Sequence, residues 1–223
     1  MTNPRHGHGA LDRLRPLYWS LRRLIRVQTL AFFVCEHQSQ LPTPDQTEIR
    51  CGGVGHEGVA ERMAVLRGHD PAEYRGRLTA GHLVVYAVGS NGDVQSWGWV
   101  TAPPDGPQDA PWEFGIRMRV MPGSGFLWDY VTMPDYRGRG LYNTLLRHAA
   151  EQCFVRGAKR AWGYADTGNT ASRRGLIGAG YAGRAEIKMT RIGAFCWISR
   201  PGFQRTVRVG GVVDLDALLP HSL

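Results

Sequence analysis

The stretch TMPDYRGRGLYNTLL, residues 132–146, decides how the rest of the chain reads. It sets Gly138 and Gly140 in alternation with Arg137 and Arg139, between an apolar strand-like run and an amphipathic helix. A chain that only turns from strand to helix needs one glycine and a capping residue. Two glycines at a helix start allow the backbone itself to approach a ligand, and the unpaired N–H groups of the first turn, at the positive end of the helix dipole, suit an anion. The loop lacks the Gly-Lys-Ser/Thr ending of a nucleoside-triphosphate loop, and no GxGxxG follows an early strand. The pattern therefore points to the pyrophosphate of some other cofactor.

Working outward, residues 126–133 read as a strand that ends at Pro134. The helix that follows runs from about Gly140 to Arg156, burying Leu141, Leu145 and Ala149, with Gly157 as its stop. Residues 159–165 (KRAWGYA) read as a strand, 169–177 as a short helix, and 183–198 and 204–215 as closing strands. Upstream, GHLVVYAVG and DVQSWGWVT form a hairpin through Ser90-Asn91-Gly92. Residues 102–115, with four prolines, read as a loop. Residues 56–77 carry one or two helices broken near Asp70-Pro71, and Thr47 to Cys51 is a short strand. This order predicts an α/β (α+β) fold with a mixed, mostly antiparallel central sheet flanked by helices.

The N-terminal region is different in character. Leu11, Leu14, Leu17, Tyr18, Leu21, Leu24 and Ile25 recur at helical spacing, flanked by Arg13, Arg15, Arg22, Arg23 and Arg26. This basic amphipathic helix either docks on the protein's own sheet or a second subunit, making a homodimer, or lies as a peripheral contact on an anionic membrane surface. The segment QTLAFFVCE reads as a strand, and Pro42 and Pro44 then break the chain. The domain division expected is 1–45, an N-terminal extension, and 46–223, the main domain.

The formal net charge is +8, and of the 27 basic residues only Lys159 and Lys188 are lysines. Arginine forks suit phosphate oxygens. No lysine-rich tail, recognition helix or zinc-finger pattern accompanies the charge, so no nucleic acid is expected as partner, and a basic nucleic-acid-binding module is the competing class. Cys35, Cys51, Cys153 and Cys196 are scattered without metal-ligand spacing, which predicts reduced thiols, no metal and a cytoplasmic protein. The longest wholly apolar run, Leu30 to Cys35, is far short of the roughly 20 residues of a membrane helix.

VTMPDYRGRGLYNTLL, followed by KRAWGYA and DTGNTASRRGLIGAGY, resembles the cofactor site of the GNAT superfamily of acyl-CoA-dependent N-acyltransferases. The family pattern Arg/Gln-x-x-Gly-x-Gly/Ala is matched from Arg137 through Gly138, Arg139, Gly140 and Leu141, and Tyr142 departs at its last position. The resemblance spans roughly residues 47–190. It implies acetyl-CoA or another acyl-CoA as cosubstrate, with a V-shaped opening between strands 126–133 and 159–165 for the pantetheine arm. Amides from Arg137 to Tyr142 would hold the pyrophosphate, and a backbone amide among Val131, Thr132 and Met133 would face the thioester oxygen. Asn169 matches an asparagine used near the pantetheine or leaving thiol, with Ser172 one helical turn further on. Read from the residues alone, Asn169 is equally a helix N-cap.

The reaction implied is N-acetyl or N-acyl transfer to the primary amine of a small molecule, such as a nucleotide-linked amino sugar. The alternative is a membrane-surface enzyme using longer acyl-CoA or an acyl carrier protein. Many relatives carry a catalytic tyrosine where this chain has Leu176, which leaves Tyr164, Tyr181, Ser172 or water near the leaving thiol. Asp129 is the candidate base, and period-two alternation puts it on the face opposite Trp128 and Tyr130. The competing role for Asp129 is a structural ion pair. Trp97, Trp99, Trp112, Trp128 and Trp162 offer flat surfaces for a sugar or an acyl chain, or else fill the core.

Overall fold

The computed structural model describes residues 25–36 and 48–219. Its strands are β1 (Ile25–Cys35), β2 (Glu48–Gly52), β3 (Leu83–Val88), β4 (Val94–Thr101), β5 (Gln108–Pro111), β6 (Arg117–Val120), β7 (Ser124–Thr132), β8 (Arg160–Asp166), β9 (Ala182–Ile192), β10 (Phe195–Arg200), β11 (Phe203–Arg208) and β12 (Val212–Asp214). The helices are α1 (Glu57–Arg67), α2 (Pro71–Thr79), α3 (Leu141–Val155), α4 (Thr170–Gly178) and the single turn α5 (Leu215–Leu218). The large sheet has the order β11-β10-β9-β1-β8-β7-β4-β3-β2, and β12-β6-β5 form a small second sheet. Neighbours in the large sheet are antiparallel except β7 and β8.

Local chemistry accounts for many of the boundaries. α1 stops at Gly68 in the left-handed region, and α2 starts with Pro71 at its first position while the Asp70 carboxylate accepts from the Ala72 N–H at 2.8 Å. The hairpin turn at Asn91-Gly92 uses the left-handed freedom of Gly92. Elsewhere tertiary pairing overrides the local reading. The expected loop 102–115 contains β5, which pairs with β6 and is tied to it by the Arg119–Asp109 ion pair at 2.9 Å. Its proline, Pro111, sits at the end of an edge strand, where the missing donor is tolerated.

The amphipathic helix expected over residues 11–27 lies outside the described residues except for its end. Ile25 and Arg26 are strand residues, paired with Ile192 and Arg191, so the helical pattern does not extend to them. β1, on the N-terminal side of the expected division at residue 45, runs between β8 and β9 in the large sheet. None of the described helices is long and apolar enough to cross a membrane.

Two cores sandwich the sheet. On one face α1 and α2 (Ala60, Met63, Tyr74, Leu78) pack against Phe32, Trp97, Trp99, Phe126 and Trp128. On the other, α3 and α4 (Leu145, Leu146, Ala149, Leu176) cover Phe33, Val85, Val100 and Leu127. The five tryptophans considered as binding platforms are all core, none more than 7% exposed. Beneath Trp128 the His82 ring, 2% exposed, lies edge-on at 5.3 Å, with Nδ1 2.9 Å from Thr101 Oγ1, which in turn accepts from the Trp128 indole N–H at 3.0 Å.

Burial pushes the His82 pKa down to about 4. The unfolded chain protonates near pH 6.5, whereas the folded chain resists protonation until about pH 4, so stability is complete above the first value and is lost as pH falls toward the second. The expected loss is about 3 kcal/mol across that window. Urea midpoints measured from pH 7.5 down to 4 should fall accordingly, and His82→Gln should flatten the profile.

Candidate active site

The sheet opens where β7 and β8 meet. Their parallel pairing covers Ser124, Gly125 and Phe126 against Arg160, Ala161 and Trp162 and then stops, although both strands continue. Beyond that point the facing backbone groups lack each other as partners, and such groups need a partner from a ligand or water. A cavity of about 230 Å³ fills the opening. It joins a second cavity of about 760 Å³ at the start of α3, the two sharing Tyr130, Tyr142, Asn169 and Ser172 as lining residues.

A β-bulge in β7 helps to shape the opening. Trp97 lies opposite Val131 and Trp99 opposite Trp128, so Asp129 and Tyr130 together face the single residue Gly98. Asp129 takes a left-handed φ of 52°, and the Tyr130 ring lies over Gly98, where a Cβ would come within 2.3 Å of it. The bulge breaks the strand's alternation. Trp128 joins the core beneath α1 and α2, whereas Tyr130 joins the core beneath α3, so the expectation that these two share a face is corrected.

The Asp129 carboxylate lines the cleft but is already engaged. Its Oδ2 accepts from Arg77 at 2.6 Å and its Oδ1 lies 3.9 Å from Arg67. Arg77 is itself buried, with its guanidinium 4.3 Å above the Tyr74 ring and 5.1 and 4.8 Å from those of Trp99 and Trp128. Asp129 thus has the ion-pair role that competed with the base.

A different carboxylate reaches the same cleft. Glu113, in a short turn between β5 and β6, accepts a hydrogen bond from the Tyr164 hydroxyl at 3.1 Å. Tyr164 is held by stacking between Phe32 and Phe126, with centroids 5.5 and 5.6 Å away. Burial raises the Glu113 pKa, the Tyr164 hydrogen bond counteracts this in part, and the charges of Asp166 and Asp129 reinforce it. Burial also pushes the Tyr164 phenol well above its ordinary value, so it stays a donor. The sequence carried no signal for Glu113, which lies within the proline-rich stretch read as loop.

At the other cavity, Gly138 and Gly140 have φ values of 75° and 76°, and α3 begins directly after them. The N–H groups of Leu141, Tyr142 and Asn143 precede the first intrahelical bond, Thr144 N–H to Gly140 O, and are free of helical partners. The expected run of amides starting at Arg137 is shortened, because the Arg137 N–H bonds to Pro134 O at 3.2 Å. Both arginine side chains brace the loop: Arg137 Nε donates to Thr132 O and Arg139 Nη2 to Asp135 O. Just past β7, the Met133 N–H is spent on Gln95 O at 3.0 Å, which removes it as an oxyanion donor. Strand alternation turns the Thr132 N–H the other way, toward β8. The Val131 carbonyl accepts from Ser96 Oγ at 2.8 Å.

Asn169 caps α4, its Oδ1 accepting from the Ser172 N–H at 3.0 Å, and the residue lines both cavities. Tyr142 lies against Gly175, where a Cβ would come within 2.3 Å of the ring. Leu176 is fully buried in the cleft wall. Tyr181 donates to Leu146 O at 3.0 Å inside the core and does not line the cleft, so it is excluded from the chemistry. A further cavity of about 680 Å³ beside Arg62 and Tyr86, at the β2 edge, contains none of these groups.

The acetyltransferase (GNAT) family model matches residues 66–175, from the end of α1 to α4. Among solved structures, the chain is similar to a GNAT-family protein from Novosphingobium aromaticivorans, with 16% identity, a TM-score of 0.51, and 74% of this chain and 64% of that one covered. It is also similar to a GCN5-related N-acetyltransferase from Sphaerobacter thermophilus, with 16% identity, a TM-score of 0.51, and 93% and 59% covered. A GCN5-related N-acetyltransferase from Kribbella flavida gives 16% identity, a TM-score of 0.50, and 84% and 64% covered. The chain spans less than two thirds of the length of each of these structures. A search of the curated proteins finds no match. The splayed strands and the glycine-rich helix start lie inside the matched segment, and residues 66–175 belong to the GNAT acetyltransferase family.

Proposed function

We propose that the protein transfers an acetyl or other acyl group from acyl-CoA to the primary amine of a small molecule, by direct attack on the thioester. The observation that carries this reading is the continuity of the opening between β7 and β8 with the amide-rich start of α3. The cavity lining divides by charge. Arg67, Arg137 and Arg174 line the end suited to a pyrophosphate, whereas Glu113, Asp129 and Asp166 line the end suited to an amine.

When bound, acyl-CoA supplies an activated carbonyl. The amides of Leu141, Tyr142 and Asn143, with Gly138 and Gly140 allowing close approach, would hold its pyrophosphate. Thr132 N–H and the Asn169 side-chain amide would bind the pantetheine arm along the free edge of β7. Glu113 accepts the proton of the attacking amine. Its raised pKa makes it a stronger base than an ordinary carboxylate, and Tyr164 keeps it oriented. Asp129 acts through structure, holding the bulge. None of the five tryptophans considered as platforms for a sugar is exposed, so the proposal stays with small primary amines rather than the narrower class of nucleotide-linked amino sugars.

Isothermal titration should detect CoA and acetyl-CoA binding, and Gly140→Asp, which sets a carboxylate against the pyrophosphate, should weaken it at least tenfold. No binding at millimolar concentration defeats the reading. In an acceptor screen followed by thiol release, Glu113→Gln should lower kcat by about 10²-fold or more. A base works deprotonated, so wild-type rate should rise with pH through the raised Glu113 pKa, and this acid limb should vanish in the variant. Asp129→Asn leaves the Arg77 guanidinium with only Glu73 as counter-ion and should cost about 3 kcal/mol of stability. Retention of the acid limb in that variant would separate its role from that of Glu113.

A further inference from the structure

Transfer from a thioester leaves negative charge on sulfur, and the groups assigned above do not meet it. The Tyr164 hydroxyl is committed to Glu113, Asn169 Oδ1 to the Ser172 N–H, and Leu176 has no polar atom. Of the four residues at the junction of the two cavities, where a chain running from the pyrophosphate cradle into the cleft must pass, Tyr130 has a fully buried hydroxyl and Asn169 has its amide assigned to the pantetheine arm, which leaves Tyr142 with Ser172. The Tyr142 ring is fixed by contact with Gly175, by an edge-on contact with Tyr130 at 5.9 Å and by its position in the first turn of α3. Ser172 lines both cavities with Tyr142, and its hydroxyl offsets part of the upward shift that burial gives the phenol.

We propose that the Tyr142 hydroxyl, supported by Ser172, donates a hydrogen bond to the sulfur of the acyl donor and stabilises the departing thiolate. The assignment rests on the acyl-CoA reading above. The balance is simple: the amine nitrogen bonds to the carbonyl carbon, the C–S bond breaks with its electron pair remaining on sulfur, and the amine proton passes to Glu113. Tyr142 keeps its own proton. Burial pushes its phenol up to about 12, well above a thiol at about 8.5, so it acts as a hydrogen-bond donor and the thiolate takes its proton from water after release. The same contact explains the pairing of an unusual tyrosine in the glycine-rich motif with a glycine at position 175, since any side chain there would expel the ring.

The test needs no acceptor. CoA bound to the full chain is titrated with pH while thiolate formation is followed by ultraviolet absorbance. The bound thiol should ionise below its free value of about 8.5, and Tyr142→Phe should raise it by about one to two units. Ser172→Ala should raise it less, and carries the same test should Tyr142→Phe not fold. Tyr164→Phe should leave it unchanged, and CoA affinity at pH 6 should stay within about threefold in all three variants, as expected for a contact made to the anion. A bound thiol that titrates at its free value, a Tyr142→Phe titration identical to wild type, or an equal shift from Tyr164→Phe overturns the assignment. A wild-type chain that binds no CoA overturns the cofactor reading instead.

Discussion

The Arg77–Asp129 ion pair is the contact on which the geometry of the cleft depends. A left-handed backbone at a residue other than glycine costs about 1–3 kcal/mol and persists only where its surroundings demand it. Here the demand comes from a guanidinium held among three aromatic rings and 2.6 Å from the carboxylate. The bulge that results places an extra residue in β7, sends Trp128 and Tyr130 to opposite faces of the sheet and accompanies the departure of β7 from β8. The Asp129 carboxylate lies in the cleft but is engaged by Arg77 and Arg67.

Around this contact, pairs of glycine and a bulky neighbour define the walls. Gly98 accepts the ring of Tyr130, Gly175 that of Tyr142, and Gly163 the tip of Leu176, where a Cβ would lie 2.8 Å away. Each pair lets a large side chain lie flat against backbone, which keeps the opening narrow without filling it. The two faces of the sheet then offer different chemistry to one cleft. Glu113 and Tyr164 belong with the aromatic core beneath α1 and α2, whereas Tyr142, Ser172 and Asn169 belong with α3 and α4. The proposed proton acceptor and the proposed thiolate contact are thereby separated across the plane of the sheet.

Much of this arrangement was legible before folding was considered. Gly138 and Gly140 open an amphipathic helix through a left-handed turn, Asp70-Pro71 starts a helix, and Asn91-Gly92 turns a hairpin, because each outcome is set by residues adjacent in the chain. Asn169 was legible as a cap for the same reason. Glu113 was not, because it gains its role from Tyr164, 51 positions away. The shared face expected for Trp128 and Tyr130 is not found, since alternation assumes an unbulged strand and the bulge at Asp129 and Tyr130 breaks it.

The sequence by itself determined the local units: the glycine-rich helix start, the capped helices, the hairpin and most of the strands, all governed by short-range backbone preferences and hydrophobic period. Only the tertiary structure decided that β1 lies between β8 and β9, that β5 forms within a proline-rich stretch, and that Asp129 engages Arg77 while Glu113 engages Tyr164. The reason is that strand pairing, burial and the engagement of a charge depend on partners far away in the chain, and no local pattern encodes which partner arrives.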